Sequence, residues 1–168
     1  EADARRFRDA MRERLEEFAL SLHPDKTRLI EFGRHAAARR RSRGLGKPET
    51  FAFLGFTFIC GTARRGGFQV QRKSRRDRVR ARLGAIKEEL RRRRHQPIPV
   101  QGLWLRRVVT GFFAYHGVPT NGRALAAFRY HVLDLWRRAL RRRSQRTKLA
   151  WERMVRLAMC GRVPRRRG

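Results

Sequence analysis

The sequence predicts an α+β fold that is mostly helical, and two patterns carry this prediction. From residue 74 onward, apolar side chains recur at spacings of three and four, which is the period of amphipathic helices. Upstream, the phenylalanine-rich run at residues 50–60 and the segment at residues 68–71 flank a glycine-rich turn, which is typical of a β-hairpin. We therefore expect a helix, a strand and a β-hairpin, followed by a bundle of three to four helices.

Residues 102–143 are predicted to form the centre of the bundle. A turn at residues 117–122 separates two apolar patterns, because Pro119 cannot continue a helix and Asn121 suits an N-cap. The helix after the turn has a single apolar stripe, formed by Leu125, Phe128, Val132, Trp136 and Leu140. The helix before the turn has a wider apolar face, formed by Leu103, Trp104, Leu105, Val108, Val109, Phe112 and Phe113. This width predicts contacts on several sides.

The N-terminal segments combine one helical stripe with basic, turn-rich sequence. Residues 1–20 are predicted as a helix whose stripe is formed by Phe7, Met11, Leu15 and Phe18. Residues 28–32 mix apolar and polar side chains as a half-buried strand does. Residues 34–49 have no periodic apolar face and are predicted as an exposed basic loop with at most one helical turn. Gly55, inside the following strand run, suggests a bulge or a close backbone approach.

Two further helices are predicted beside the centre of the bundle. Residues 74–77 have the spacing of a capping box, with Ser74 as the cap. The helix behind them is predicted to pack through Val79, Leu83, Ile86 and Leu90. We interpret residues 91–94, four arginines, as cations that complement the C-terminus of this helix. Pro97 and Pro99 are predicted to form a linker, and a last helix is predicted at residues 147–160, packing through Trp151, Val155 and Ala158.

The charge of the chain predicts a polyanionic partner. The 168 residues contain 44 Lys and Arg but only 14 Asp and Glu, which gives a formal net charge of +30. Five of the 44 are lysines, and arginine offers a planar fork that suits phosphate oxygens. From Leu90 to Gly168 there are 21 basic residues and two acidic ones. A fold with this much self-repulsion is expected to bind a polyanion.

Membrane and zinc sites are disfavoured by the same sequence. No apolar run approaches the ~20 residues of a membrane span, and no signal peptide is recognisable at the start. Cys60 and Cys160 lie far apart without zinc-ligand spacing. We therefore expect a reduced chain in the bacterial cytoplasm that has no metal or other cofactor of its own and no membrane partner.

The order of motifs resembles the C-terminal part of a bacterial group II intron-encoded reverse transcriptase and maturase. The motifs are LSLHPDKTRLIEFG (residues 20–33), TFAFLGF (50–56), GLWLRRVVTGFFAYHGVPTN (102–121) and LWRRALRRRSQRTKLAWERM (135–154). The pattern from Tyr115 to Asn121, followed by Trp136 to Ser144, resembles domain X, the thumb and maturase domain. The FLGF element is less specific, because other reverse transcriptases share it.

The resemblance implies a division of the chain and a set of sites. Residues 1–72 correspond to the end of the polymerase palm, residues 73–161 to domain X, and residues 162–168 to a basic tail. Four residues correspond to the palm–thumb junction near the primer terminus: Phe53, Leu54, Gly55 and Phe56. The full-length family uses Mg²⁺ held by an early palm Asp and a Y-A-D-D hairpin, as two-metal nucleotidyl transfer requires. This chain has no Asp-Asp pair, so we expect no polymerase activity from it alone.

Basic and aromatic side chains are the candidates for RNA contacts, since RNA is bound through phosphates and through stacked bases. The densest cluster follows the last stripe and consists of Arg141, Arg142, Arg143, Arg146 and Lys148. Another lies at a helix N-terminus, where a cation implies a bound anion: Lys73, Arg75 and Arg76. The remaining candidates are Arg106, Arg107, Tyr115 and, from the KTR-like segment, Lys26 and Arg28.

Three functions follow from these observations. The first is a maturase domain that binds group II intron RNA and assists its folding and splicing. The second is one part of a reverse transcriptase that holds a DNA primer–template with its thumb in the full-length protein. The third is a non-specific basic RNA-binding scaffold, or a non-functional remnant of a degenerated mobile element.

Overall fold

The computed structural model describes residues 2–143, 150 and 152–155, and within them the fold is α+β and mostly helical. The chain divides into two compact units, Glu1–Glu49 and Thr50–Gly168. The division at residue 72 that the family resemblance implies falls inside a β-strand of the second unit and stays a prediction. Among the described residues, no helix is long and apolar enough to cross a membrane.

The first unit contains two helices, α1 (Ala2–Glu16) and α2 (Arg34–Ser42). The predicted first helix is confirmed, but its stripe is not a core, since α1 has no buried residue and Phe7 is 70% exposed. The predicted strand at residues 28–32 is wrong. This segment has no regular secondary structure and belongs to no sheet in the described part of the chain, and a strand without a ladder partner is not stabilised.

The prediction of a basic loop at residues 34–49 is also wrong in its first half. Helix α2 occupies nine residues there and buries Ala36. Arginine and alanine both favour helix strongly, so a segment without an apolar stripe still becomes helical. Arg39 forms an ion pair with Glu31, and the backbone N–H of Arg43 donates to the Arg39 carbonyl at the end of α2.

The second unit begins with a three-stranded antiparallel sheet in the order β1-β2-β3. The strands are β1 (Phe51–Phe53), β2 (Phe56–Thr62) and β3 (Phe68–Ser74). The predicted hairpin is confirmed as β2 and β3. The expected irregularity at Gly55 is a two-residue turn between β1 and β2, in which Leu54 and Gly55 have φ angles of 45° and 76°. Positive φ at both central residues matches the right-handed twist of a hairpin.

Three helices follow the sheet: α3 (Arg76–Arg92), α4 (Ile98–His116) and α5 (Gly122–Arg141). The stripe predicted for the last of these is confirmed, because all five of its members are buried. The core of the bundle consists of Ile86, Leu90, Leu105, Val109, Phe128, Val132, Leu133, Trp136, Leu140 and Met154. Phe112 stacks on Phe128 with ring centroids 3.7 Å apart. Of the predicted last helix, residues 152–155 are described and helical, whereas Trp151 and Ala158 lie outside the described residues.

Gln101 is a buried polar residue that joins the three helices. Its side-chain amide donates to the carbonyl oxygens of Arg93 (2.9 Å) and Gln96 (3.0 Å), just beyond the end of α3. Its Oε1 accepts a hydrogen bond from the indole Nε1 of Trp136 at 3.0 Å. The predicted linker prolines lie at the start of α4, with Pro97 as the N-cap and Pro99 in the first turn, where a missing N–H costs no helical hydrogen bond.

A buried polar network, which we call the junction network, connects the end of β3 to the turn between α4 and α5. It consists of Ser74, His116 and Asn121. The Asn121 side chain accepts from the Ser74 backbone N–H (3.0 Å) and donates to the Ser74 hydroxyl (2.8 Å) and to the His116 carbonyl (2.9 Å). Since Ser74 Oγ accepts from Asn121, its own hydrogen can be donated to Nδ1 of a neutral His116, 3.1 Å away.

This network corrects two predictions about helix caps. Ser74 does not cap α3, because the N-cap position is Arg75 and no side chain caps it. Asn121 does occupy the N-cap position of α5, but its side chain makes no cap hydrogen bond. In both cases the side chain satisfies buried polar groups of another element, which would otherwise cost about 1–3 kcal/mol each.

The first prediction concerns the core of the bundle. Leu105→Ala should lower the free energy of unfolding by about 3 kcal/mol, because Leu105 is 1% exposed and its removal leaves a cavity. Leu103→Ala on the same helix is the matched control and should cost less than about 1 kcal/mol, since Leu103 is 48% exposed. Chemical denaturation followed by circular dichroism measures both, and equal costs would contradict the assigned orientation of α4.

The second prediction concerns the junction network. Burial lowers the pKa of His116 below its ordinary value of 6.5. The unfolded chain therefore takes up a proton at a higher pH than the folded chain, and stability falls as the pH drops through 6.5 toward the lowered pKa.

The free energy of unfolding, measured by denaturation between about pH 7.5 and pH 5.5, should accordingly decrease toward acid more steeply for the wild type than for His116→Gln. The glutamine cannot titrate, and its amide oxygen still offers Ser74 an acceptor. Parallel pH dependences for the two proteins would show that His116 is not the titrating group.

Candidate nucleic-acid interface

A cationic groove runs between α3 and α5. Its α3 wall carries Lys87 and Arg91, four residues apart on one face of α3, and Arg94, which follows in the turn after the helix ends at Arg92. Its α5 wall carries Arg138 and Arg142, again four residues apart. The floor consists of aliphatic side chains from the core edge, namely Leu90, Leu135 and Ala139. The groove has a volume of about 180 Å³, and we call it the α3–α5 groove.

The α3–α5 groove carries five positive charges and no carboxylate among its lining residues. Two of the five have acidic neighbours just outside the lining: Arg91 is 3.1 Å from Glu88, and Arg138 is 2.7 Å from Asp134. The other three, Lys87, Arg94 and Arg142, form no ion pair with a carboxylate of the described residues. The local field is therefore strongly positive, as a site for a polyanion requires.

Asp134 is the acidic residue that most affects the α5 wall. Burial alone would raise its pKa, but hydrogen bonds from Arg137 and Arg138 outweigh this effect and hold the pKa below the ordinary carboxyl value. The carboxylate stays ionised at neutral pH, and its contact with the Arg138 guanidinium neutralises part of the positive charge on that wall.

The arginine run predicted as the main RNA-binding cluster continues this groove. Arg138, Arg141 and Arg142 line a neighbouring, more open hollow of about 300 Å³. The Arg143 guanidinium donates to the Gln96 carbonyl at 3.1 Å, which holds it against the segment between α3 and α4. Arg146 and Lys148 lie outside the described residues.

A second groove, between α3 and α4, differs in charge. Its lining includes Arg82 and Arg92 but also Glu88 and Glu89, around an apolar wall formed partly by Trp104. The Arg93 guanidinium lies over the Trp104 ring, 5.0 Å from its centroid. Since its charges balance, this groove does not attract a polyanion as the α3–α5 groove does. Helix α3 thus has one cationic side and one neutral side.

The predicted primer-terminus residues, Phe53 to Phe56, meet Tyr115 beside the junction network. The Tyr115 hydroxyl donates to the Leu54 carbonyl at 2.9 Å, and its ring stacks on Phe56 with centroids 5.8 Å apart. A β-carbon at Gly55 would lie 3.7 Å from the Tyr115 ring, so this turn and the end of α4 approach closely. Tyr115 is still 56% exposed, and Phe53 and Leu54 are exposed beside it.

The cations predicted at the N-terminus of α3 have a local explanation. Arg75 binds Asp77 with two hydrogen bonds of 3.0 and 2.6 Å. The hydrogen bond from Arg75 is the main reason that the pKa of Asp77 lies below its ordinary value. Asp77 therefore supplies the anion that we expected from a ligand. Lys73 and Arg76 are exposed, and Lys73 lies on the opposite face of the sheet from Ser74.

The remaining predicted cations are not among the residues that line the α3–α5 groove. Arg106 and Arg107 are exposed on α4 and do not line it. Lys26 and Arg28 belong to the first compact unit, where Arg28 is 3.4 Å from Glu49. Neither pair contributes to the groove.

Most cations of the α3 wall were not predicted as binding residues from the sequence. Sequence analysis explained Arg91 and Arg94 as partners of the helix dipole and did not single out Lys87 or Arg138. The signal that could have found them is a basic stripe at residues 87, 91 and 94, directly beside the apolar stripe that ends at Leu90. An apolar stripe flanked by a basic one places cations at the rim of a helix–helix contact.

No set of metal ligands is present in the part of the chain that the structure describes: no three His, Cys, Asp or Glu side chains come together there. These residues do not fit the two-Mg²⁺ site that the resemblance implies for the full-length family. Comparisons with known proteins add no assignment, because no family model, no curated protein and no solved structure matches this chain.

The third prediction tests the electrostatics of the α5 wall. Asp134→Asn should tighten binding of a short RNA by about fourfold, equal to ~0.8 kcal/mol, because Arg138 is released from its ion pair. The same change should lower the free energy of unfolding by about 1 kcal/mol, since charge-assisted hydrogen bonds to a half-buried carboxylate are lost.

Asp9→Asn is the matched control for Asp134→Asn. It removes the same charge from an ion pair with Arg8, 2.9 Å long, in the first compact unit, and should change affinity by less than about 1.5-fold. Fluorescence anisotropy measures affinity, and denaturation measures stability. An equal effect of the two substitutions would show that only the net charge matters.

Proposed function

We propose that this chain binds RNA through its phosphate backbone, using the α3–α5 groove and the arginines that continue it. The observation that carries the proposal is the groove lining of five cations without a carboxylate. Phosphate contacts of this kind provide most of the sequence-independent affinity of nucleic-acid-binding proteins. Four of the five cations are arginines, which bind phosphate with two parallel hydrogen bonds.

The spacing of the cations supports a nucleic-acid strand as the ligand. On the α3 wall, Lys87 and Arg91 lie about 6 Å apart along the helix at 1.5 Å per residue, and Arg94 follows in the turn beyond the end of α3. A strand in a duplex carries one phosphate per roughly 3.4 Å of axis. The helical part of the α3 wall is therefore long enough for about two phosphates, Arg94 extends this wall beyond the helix, and the α5 wall faces it from the other side. Rigid helices set this spacing, whereas a flexible basic tail would not.

We further propose that the RNA is a group II intron and that the chain is the thumb and maturase part of an intron-encoded reverse transcriptase in the bacterial cytoplasm. The domain X motifs in the sequence support this part of the proposal. In this role the RNA is the catalyst, and the protein neutralises phosphates that must approach one another in the folded intron. In the full-length protein the same surface would hold a DNA primer–template. We assign no polymerase chemistry to this chain.

The exposed aromatic residues beside the junction network support a second type of contact. Tyr115, Phe53 and Leu54 form an exposed apolar patch, and unpaired bases of RNA stack on such surfaces. The patch is held in place by the hydrogen bond from Tyr115 to the Leu54 carbonyl. Bases that stack there would provide selectivity that phosphate contacts cannot.

The intron assignment is tested by competition. The purified chain is titrated with a structured group II intron RNA and with an unrelated structured RNA of equal length, across a salt series. A preference for the intron of about tenfold, or 1.4 kcal/mol, is expected. Equal affinities would refute the intron assignment and leave a general RNA-binding protein.

The fourth prediction tests the groove itself. The triple variant Lys87→Gln, Arg94→Gln and Arg142→Gln removes three groove cations that form no ion pair with a carboxylate of the described residues, so no carboxylate there loses its partner. Its affinity for RNA should fall by about tenfold or more, and the slope of log affinity against log salt should decrease by about 2, since each lost phosphate contact contributes about 0.7 for a single strand.

The control for the groove variant removes three cations from other places. Arg64 and Arg65 lie in the turn between β2 and β3, and Arg78 lies on the face of α3 opposite Lys87. The triple substitution of these residues by glutamine changes the net charge equally and should retain most of the slope. If both triple variants lost the same affinity and slope, binding would depend on total charge and the groove would have no special role.

A further inference from the structure

The polar side-chain atoms of the α3–α5 groove are all hydrogen-bond donors. Its polar side chains are one lysine and four arginines, and its other lining residues are Leu90, Leu135 and Ala139. No amide, hydroxyl or carboxylate side chain lines it. Lysine and arginine have no acceptor atom. The amino groups of adenine and cytosine are donors, so the groove offers them no side-chain partner.

The non-bridging oxygens of a phosphate chain, by contrast, accept hydrogen bonds and donate none. A ligand that presents only charged acceptors at regular intervals satisfies every lining cation and leaves none of its own groups unpaired. The aliphatic floor adds no polar group that could distinguish one base from another. The chemistry of the lining therefore selects the phosphate chain and disregards the nucleoside.

We propose that the α3–α5 groove is a sequence-blind clamp for a linear phosphate chain, and that inorganic polyphosphate is a ligand of it as well as RNA. This inference rests on the proposed function for the position of the site but extends the ligand class beyond nucleic acids. The ligand must be a chain, because the cations stand on two facing walls, and on the α3 side Lys87 and Arg91 lie about 6 Å apart along the helix with Arg94 in the turn beyond them. A single phosphate spans only part of this distance.

The proposal has a consequence for selectivity. A groove that reads only phosphates cannot provide preference for one RNA over another. Any such preference must come from residues outside the groove, such as the patch formed by Phe53, Leu54 and Tyr115. The phosphate clamp and the base-selective surface are then separate parts of the second compact unit.

The fifth prediction tests the clamp by comparing RNA and phosphate ligands on the wild type and on groove and control variants. A fluorescent RNA is bound to the full chain and displaced with polyphosphate, with orthophosphate at equal total phosphate, and with oligo-U or oligo-A of equal length. Direct binding of labelled polyphosphate is also measured for the wild type, the groove triple variant and the control triple variant. Circular dichroism confirms that each variant is folded.

Polyphosphate should displace the RNA, orthophosphate should not, and oligo-U and oligo-A should differ by less than about threefold, or 0.65 kcal/mol. The groove variant should lose about tenfold in affinity for both RNA and polyphosphate, and the control variant less than about threefold. A further variant, Arg94→Lys with Arg142→Lys, keeps the charge and should retain polyphosphate binding even if the glutamine variant proves unstable.

The outcomes separate the two proposals. Loss of RNA binding by the groove variant with unchanged polyphosphate binding would overturn the phosphate clamp and leave the RNA function in place. Loss of polyphosphate binding alone would support the clamp and remove the groove from the RNA function. A large difference between oligo-U and oligo-A that the groove variant abolishes would also overturn the clamp, because the groove would then read bases.

Discussion

The packing of α3 against α5 is the interaction on which the candidate site depends, because it holds like charges together. Two like charges about 9 Å apart in water repel each other by roughly 0.5 kcal/mol. A buried leucine or isoleucine contributes about 1.5–3 kcal/mol. Ile86, Leu90, Trp136 and Leu140 are buried at this contact, so the apolar packing outweighs several such repulsions. The groove can keep its charges facing one another without a bound ligand.

The junction network has a comparable role for the sheet. The three short strands form a small sheet, which needs contacts with the helices to fix its orientation relative to the bundle. The hydrogen bonds of Asn121 with Ser74 connect its last strand to the turn before α5. Thr120 adds a second connection, since its hydroxyl accepts from the Arg72 backbone N–H at 2.8 Å. These hydrogen bonds fix the sheet beside the helices, and the exposed patch around Tyr115 therefore has a defined position.

Periodicity predicted the helical bundle well because its stripes are long and regular. The five-residue stripe of α5 and the four-residue stripe of α3 were both recognisable, and their members are buried or half-buried in the core. The short elements were less predictable. The segment expected as a strand at residues 28–32 belongs to no sheet in the described part of the chain, and pairing between strands is a non-local property that a local pattern does not contain. Helix α2 forms without an apolar stripe, in a sequence of strong helix formers.

The candidate site was only half predictable for a related reason. The arginine run at residues 141–143 is conspicuous in the sequence, but its partner wall on α3 is not. Lys87, Arg91 and Arg94 look like ordinary solvated charges until α5 is placed beside them. Likewise, Ser74 and Asn121 have the spacing of helix caps, and only the fold shows that each satisfies a buried group of a distant element. Where a polar side chain has several possible hydrogen-bond partners, the tertiary structure determines which one it binds.

Gln101 gives the groove a fixed length. Its amide group binds the carbonyl oxygens of Arg93 and Gln96, and its Oε1 holds the indole of Trp136. One uncharged side chain thus determines both where α3 stops and how deeply α5 sits beside it. Arg94, the last cation of the α3 wall, follows two residues after the end of α3. The end of the α3 wall is therefore positioned by an uncharged residue that is not part of the groove lining.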